Sequence, residues 1–270
     1  MGLFDVIDEI AEKQITKTET GDNRIFGVMT GIVAKNYDKN MPGRICVTIP
    51  VRNMDENELK WARMVMPSSG EEWGHYFIPE VGDQVLLVFE QGNIEKPYVI
   101  GCIPKDDNKF LVKAIDENNQ YKKIITKNGN SIIFEDNKEG EGEKDKVEII
   151  TAKQEHSVLL DNEKKQITIA DKAGDNRIVI KTEAGHMEIR AQKKLVINIG
   201  DNISLNFNGN NGSVKLECDK FDVKAGNGIV MESNSSVKLS GTNVIIDATS
   251  SFKANSSGTA VVKGTPLKLG

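Results

Sequence analysis

The C-terminal part of the chain carries short pairs of apolar residues, each pair spaced by two positions and bounded by small polar residues. Within SVKLSGTNVIIDATSSFKAN, residues 236–255, the pairs are Val237/Leu239, Val244/Ile246 and Phe252/Ala254. An apolar residue at every second position predicts a strand that buries one face. Such pairs recur from Leu195 onward at steps of 7, 8 or 11 residues. This near-constant period predicts a repeat made of one strand and one turn.

Repeats of this length are too short for one chain to enclose an interior, because solenoid repeats that close on themselves need about 20 residues or more. A monomeric sandwich would need larger side chains than Val, Ile, Leu and Ala. Three copies wound around one axis are the smallest number that encloses a core, and strand edges would then pair with neighbouring chains. We therefore predict that residues 147–270 form an intertwined trimeric β-helix. Its predicted core comprises Leu195, Ile197, Ile203, Leu205, Val214, Leu216, Phe221, Val223, Ile229, Met231, Val237, Leu239, Val244, Ile246 and Phe252.

The preceding residues divide into three segments of different texture. In residues 1–24, apolar residues at helical spacing predict a short amphipathic helix, followed by a polar linker. Residues 25–105 hold five strand-like runs separated by turn residues, which favours a small closed barrel. Residues 106–146 connect the barrel to the repeats and include a hairpin with Asn128-Gly129 at its turn. The predicted fold class is all-β.

Composition narrows the classes of function. Charged residues make up 28% of the chain and the net charge is −5, which disfavours a dedicated nucleic-acid binder. Three distant cysteines predict free thiols and not a disulfide framework. No apolar run reaches the roughly 20 residues of a membrane span, and the N-terminus lacks the layout of a signal peptide. We expect a protein made in the bacterial cytoplasm.

The sequence shows no catalytic motif, and we predict no catalytic residues, metal site or cofactor. The three histidines, His75, His156 and His186, are isolated, although His156 or His186 could meet its symmetry copies on a trimer axis and bind an ion. Trp61 and Trp73 are predicted to pack in the barrel. The alternative for these tryptophans is a base-stacking platform for nucleic acid, which some small closed β-barrels provide.

Several runs in the barrel segment resemble one family. These runs are GRICVTIP (43–50), KWARMVMP (60–67), GHYFIPEVGDQVLLVFEQGN (74–93) and KPYVIGCI (96–103). They resemble the OB-fold domain of phage baseplate spike proteins, which include the gpV-type proteins, the phage T4 spike and the VgrG proteins of type VI secretion. KKIITKNGNSIIFEDN (122–137) is similar to the segment that joins this domain to the β-helix.

The resemblance implies a homotrimeric central spike of a contractile injection particle: a phage tail, a tailocin or a related system. OB domains would form the collar, and the β-helix would be a needle that pierces the target cell envelope. The family's lysozyme-like and hub domains have no counterpart here, so no enzymatic activity and a separate baseplate hub protein are expected. The family's His-x-His tip motif is also absent from the end AVVKGTPLKLG, which suits a small PAAR-like tip protein.

Two other functions stay open. One is a receptor-binding or polysaccharide-degrading β-helical tail fibre, although the polar residues of the repeats are mostly Lys, Ser and Asn and not clustered carboxylates. The other is an OB-fold nucleic-acid binder, which the lack of a basic stripe disfavours.

Overall fold

The protein is described by a computed structural model that covers residues 3–18, 23–49 and 59–268. The chain divides into two units, Met1–Lys193 and Lys194–Gly270. Across these described residues, no helix combines the length and apolar character needed to cross a membrane.

A closed five-stranded barrel forms the first part of the N-terminal unit. Its strands are β1 (Met29–Lys35), β2 (Arg44–Thr48), β3 (Lys60–Met64), β4 (Gln84–Phe89) and β5 (Pro97–Cys102). They close in the order β1-β2-β3-β5-β4, with β3 and β5 parallel and the other neighbours antiparallel. This five-stranded closure is the OB-type barrel expected from the sequence.

The barrel has an apolar interior of its own. Alternate residues of β4 point inward, so Val85 and Leu87 are fully buried. Gly31 on the neighbouring β1 leaves room for Leu87, because a Cβ at that position would lie 2.8 Å from Leu87 Cδ1. The remaining core residues are Val33, Ile45, Val47, Ile49, Ala62, Phe89, Ile94 and Val99.

Two helices flank the barrel in sequence. The expected N-terminal helix is α1, Leu3–Thr16. The backbone after it returns to the barrel, where the Ile25 N–H donates to the Gly92 carbonyl at 2.9 Å. A second helix, α2 (Lys109–Ala114), was not predicted. Its signal is Asn108, whose side chain caps the helix by accepting from the backbone N–H groups of two residues in the first turn.

A seven-stranded antiparallel sheet completes the N-terminal unit. Its strands are β6 (Tyr121–Ile125), β7 (Ser131–Glu135), β8 (Lys146–Ile150), β9 (His156–Asp161), β10 (Gln166–Asp171), β11 (Arg177–Lys181) and β12 (His186–Arg190). Each strand pairs with the next one along the chain, without a register shift. The predicted hairpin is β6–β7, and of its two turn residues only Gly129 takes a positive φ, of 96°.

The C-terminal unit begins with a three-stranded antiparallel sheet. Its strands are β13 (Lys194–Ile199), β14 (Ile203–Asn208) and β15 (Ser213–Glu217). Residues 218–268 form no strand or helix, and nearly all are exposed. The strands between 121 and 217 therefore pair within one chain, whereas we expected strand edges to pair with neighbouring chains. An intertwined β-helix remains a prediction for the residues that follow.

The barrel interior generates a first prediction. Leu87→Ala should lower the free energy of unfolding by about 2–5 kcal/mol, because it leaves a cavity in a fully buried site. Denaturant unfolding of the full chain, followed by tryptophan fluorescence, measures this change. Val81→Ala is the control: Val81 is exposed, and its loss should cost less than about 0.5 kcal/mol. Equal costs for the two substitutions would contradict the assigned core.

Candidate functional site

One face of the seven-stranded sheet carries two rows of apolar side chains, and we call this surface the apolar face. Residues paired directly across antiparallel strands share a face, so the register defines each row. The first row is Ile124, Ile132, Ile149, Val158, Ile169, Ile178 and Ile189. The second row, which starts at Lys122 on β6, continues through Phe134, Val147, Leu160, Ile167, Ile180 and Met187.

The opposite face of this sheet mixes polar side chains with apolar ones such as Ile133 and Leu159. Val179 lies between Thr168 and Glu188 in the register and is buried, and the Arg177 guanidinium donates to the Glu188 carboxylate at 2.7 Å. Lys146 stands between Glu135 and Asp161 in the register, and the nearby carboxylates, Glu135 first, raise the pKa of its ammonium. These contacts indicate a face that is stable in water.

The apolar face, in contrast, is left uncovered by the described residues of the N-terminal unit. Its side chains are exposed or half-buried along the whole sheet, and Ile169 near its middle is 47% exposed. Large contiguous apolar surfaces on soluble proteins mark interaction sites. The apolar face is therefore the candidate functional site of this unit.

The three-stranded sheet of the C-terminal unit repeats this arrangement. Its register places on one face Leu195, Phe207, Val214, Ile197, Leu205, Leu216, Ile199 and Ile203. Six of these residues belong to the core predicted from the sequence, while Phe207 and Ile199 were missed. Both fit the same every-second-residue pattern, which was available in the sequence. The apolar face of β6–β12 was missed in the same way, because the predicted core began only at Leu195.

The rest of the predicted core lies in residues 218–268 and has no cover within the chain. These side chains are more than half exposed, as Phe221 at 67% illustrates. The residues in question are Phe221, Val223, Ile229, Met231, Val237, Leu239, Val244, Ile246 and Phe252. The single chain does not bring them together, so their assignment to a trimer core stays a prediction.

Hydrogen bonds join successive turns at both ends of the strands of the seven-stranded sheet, and we call these bonds the turn contacts. At one end of the strands the bonds are Ala152 N to Asn130 Oδ1, Lys172 N to Glu155 O and Gln192 N to Asn176 Oδ1, at 2.8–3.0 Å. At the other end they are Asp136 N to Gln120 O, Asn162 N to Asp145 O and Thr182 N to Lys165 O, at 2.8–3.0 Å. Each bond links turns two strands apart, which resists sliding of one hairpin past the next.

The histidines lie in three different settings. His75 Nδ1 shares a hydrogen bond with Ser68 Oγ at 2.8 Å, in the loop between β3 and β4. His156 pairs with Asp171 at the border of the apolar face, whereas His186 lies in a row on the opposite face. An axial ion held by His186 is therefore incompatible with an axis lined by the apolar face. Within the described ranges, no three His, Cys, Asp or Glu side chains are grouped closely enough to hold a metal ion.

The tryptophans and cysteines complete the candidate chemistry. Trp61 is half-buried on the barrel, but the prediction that Trp73 packs there is wrong, because Trp73 is 67% exposed in the β3–β4 loop. The cysteines are free thiols, and burial raises the pKa of the Cys46 thiol and of the Cys102 thiol. A raised thiol pKa lowers the thiolate fraction, which does not suit a nucleophile.

Comparison with known proteins adds a family for the barrel. Residues 29–103 match the type VI secretion system/phage-baseplate injector OB domain, a range that starts with β1 and ends one residue after β5. The type VI secretion system spike protein VgrG5 of Pseudomonas aeruginosa is 29% identical over 85 residues, which are 30% of this chain and 11% of that relative. The resemblance to baseplate spike and VgrG proteins is thereby confirmed for the barrel.

The apolar face generates a prediction with a matched control on the same strand. If the apolar face carries the self-association predicted from the sequence, Ile169→Lys should weaken that association in the full chain, because a charge placed in an apolar interface must be desolvated. Thr168→Lys, which points to the polar face, should leave association unchanged. Light scattering coupled to size-exclusion chromatography measures both masses. An Ile169→Lys variant with the same mass in solution as the wild type would show that the apolar face is not part of the interface.

The turn contacts generate another prediction. Asn162 also donates its side-chain Nδ2–H to the Gly142 carbonyl at 2.9 Å. Asn162→Ala should lower the free energy of unfolding by about 1 kcal/mol and accelerate amide exchange in residues 142–145. Glu163→Ala removes a 3.6 Å ion pair with Lys146 in which the Glu163 side chain is 50% exposed, and it should cost less than about 0.5 kcal/mol. Unchanged exchange in Asn162→Ala would show that the Asn162 side-chain bond to the Gly142 carbonyl does not order this turn.

Proposed function

We propose that this chain, whose residues 29–103 belong to the type VI secretion system/phage-baseplate injector OB domain family, is the structural central spike of a contractile injection particle. The observation that carries the proposal is the pair of uncovered apolar faces on β6–β12 and on β13–β15. An injector domain followed by sheets that lack a second layer suits a spike that assembles from several copies.

A homotrimer is the assembly that we propose. Two layers would leave a flat sandwich, whereas three equivalent walls enclose a narrow core that branched aliphatic side chains can fill. Covering a fully exposed side chain of this size stabilises by about 1.5–3 kcal/mol, and a half-covered one by less. The gain is repeated along each face and in three chains. Residues 218–268 would acquire their order in the same step, as the predicted core residues of each copy meet those of its neighbours.

The mechanical role follows from this assembly. Sheath contraction would drive the spike into the target cell envelope, so the needle must resist compression and not catalyse a reaction. In-register strand ladders and the turn contacts supply many hydrogen bonds that would have to break together. Trimerisation would add interfaces that slow unfolding further.

The partners proposed for the whole particle follow its geometry. The OB barrels would form a collar beneath a separate baseplate hub protein, with α1 available as a contact to it. A small PAAR-like tip protein would cap the C-terminal end of the needle. The spike would be a component of a virion or of a phage-tail-like particle. Nucleic acid is not among the proposed partners.

The mass of the purified chain tests the proposed assembly. Native mass spectrometry should give about 90 kDa, three times the 29.8 kDa chain mass. Electron microscopy of the same sample should show a rod that extends from a wider head. A monodisperse, compact monomer of 29.8 kDa would overturn the spike function.

A further inference from the structure

The outer surface of the barrel carries a cleft where two arginines from neighbouring strands meet aromatic side chains. Its volume is about 340 Å³, within the range typical of ligand sites. The side chains that matter are those of Arg44, Trp61, Arg63, Glu90 and Tyr98. The cleft lies on β2, β3 and β5, closed on one side by the β4–β5 loop.

The strand register brings the two arginines together. Arg44 is directly opposite Arg63 in the β2–β3 pair, and Arg63 is in turn beside Tyr98 on β5. Trp61 precedes Arg63 by two residues and therefore shares its face. Like charges directly opposite each other on a sheet are destabilising. An anion bound between the two guanidinium groups would relieve this repulsion.

The carboxylates near the cleft already have partners. Tyr98 donates its phenol hydrogen to Glu90 Oε2 at 2.7 Å, and Lys96 Nζ lies 3.3 Å from Glu90 Oε1. These two hydrogen bonds, that from Tyr98 first, lower the pKa of Glu90, and the same bond raises the pKa of Tyr98. Glu95 accepts from Lys60 Nζ at 2.6 Å. Both carboxylates of the cleft are thus engaged by other side chains.

Neither arginine is satisfied in this way. Among the residues that the structure describes, neither the Arg44 nor the Arg63 guanidinium has a hydrogen-bond or ion-pair partner. Counting the described residues alone, four basic side chains (Arg44, Lys60, Arg63 and Lys96) meet two carboxylates here, and Lys60 and Lys96 are the ones in ion-pair contact with Glu95 and Glu90. Arg63 acts on Glu90 through its charge, which adds to the lowering of the Glu90 pKa.

We propose that this cleft binds a carboxylate-rich peptide segment of another protein. Each guanidinium can take one carboxylate in a bidentate pair, the geometry that arginine is suited to and lysine is not. The Trp61 ring and the buried Pro97 offer an apolar wall for the aliphatic parts of such a segment. The inference concerns a second binding surface and does not rest on the spike function.

Single-stranded nucleic acid is the other anion that an OB barrel could hold, and the cleft suits it less. Two adjacent arginines make one basic spot and not the extended basic groove that follows a phosphate backbone over several nucleotides.

The test uses Trp61 as the reporter. The sequence has two tryptophans, so Trp73→Phe in the full chain leaves Trp61 as the only one. Titration with the peptide hexaglutamate at low salt should change the Trp61 emission and saturate. Arg44→Gln/Arg63→Gln in this background should weaken binding by about tenfold or more, which corresponds to the loss of charge-assisted pairs.

Two further variants sharpen the test. Lys39→Gln/Lys105→Gln removes the same charge from exposed positions elsewhere on the barrel segment and should weaken binding less than about twofold. Arg44→Lys/Arg63→Lys keeps the charge but not the fork geometry, and it should weaken binding by about threefold or more. This lysine variant decides the question if the glutamine variant fails to fold.

Three outcomes would overturn the proposal. The first is the absence of saturable hexaglutamate binding. The second is an equal loss in the Lys39→Gln/Lys105→Gln control, which would indicate only general attraction. The third is tighter binding of single-stranded oligothymidylate than of hexaglutamate, lost with the same arginines, which would assign the cleft to nucleic acid.

Discussion

The structure depends on one constraint: a sheet one layer thick must have its apolar face covered. The barrel meets this constraint by curling its sheet until Leu87 and Val85 face an interior. The β6–β12 sheet stays open and does not close into a barrel, and its two apolar rows are exposed or half-buried. Hydrogen bonds within the sheet cannot relieve this, because they satisfy the backbone and leave the side chains in water. Only a second apolar surface of matching shape can bury these side chains. Another copy of the same chain would present such a surface.

The constraint separates two tasks that a folding chain must perform. Register is set inside the chain, where sequential hairpins keep the pairing local and the turn contacts align each turn with the one two strands away. Cover for the apolar face would, in the proposed trimer, come from the other chains. Residues 218–268 form no strand within the described part of the chain, so the proposal assigns their register to assembly as well.

The sequence predicted part of one apolar face and missed which strands lie side by side. Period-two alternation predicted six residues of the β13–β15 face, since alternation alone decides which side of a strand a residue occupies. The same pattern contains no information about which strand lies alongside, so in-chain pairing was missed. Helix α2 was missed because six residues hold too little periodicity, and only the cap at Asn108 marks it. Trp73 was misplaced because ring size predicts burial only on average. Arg44 and Arg63 are 19 positions apart, and only the register joins them.

An exposed apolar sheet is an aggregation hazard, and the apolar face limits it by its width. Only two rows are apolar, and the border carries polar residues such as His156 and Asp171. A partner displaced along the strands would set one of its apolar rows against these polar border residues, so incorrect alignments lose part of the burial that drives association. A partner in register buries both rows at once. Because the apolar face is narrow, it binds other apolar surfaces weakly. It therefore favours copies whose apolar rows have the same spacing, which the proposed trimer of identical chains requires.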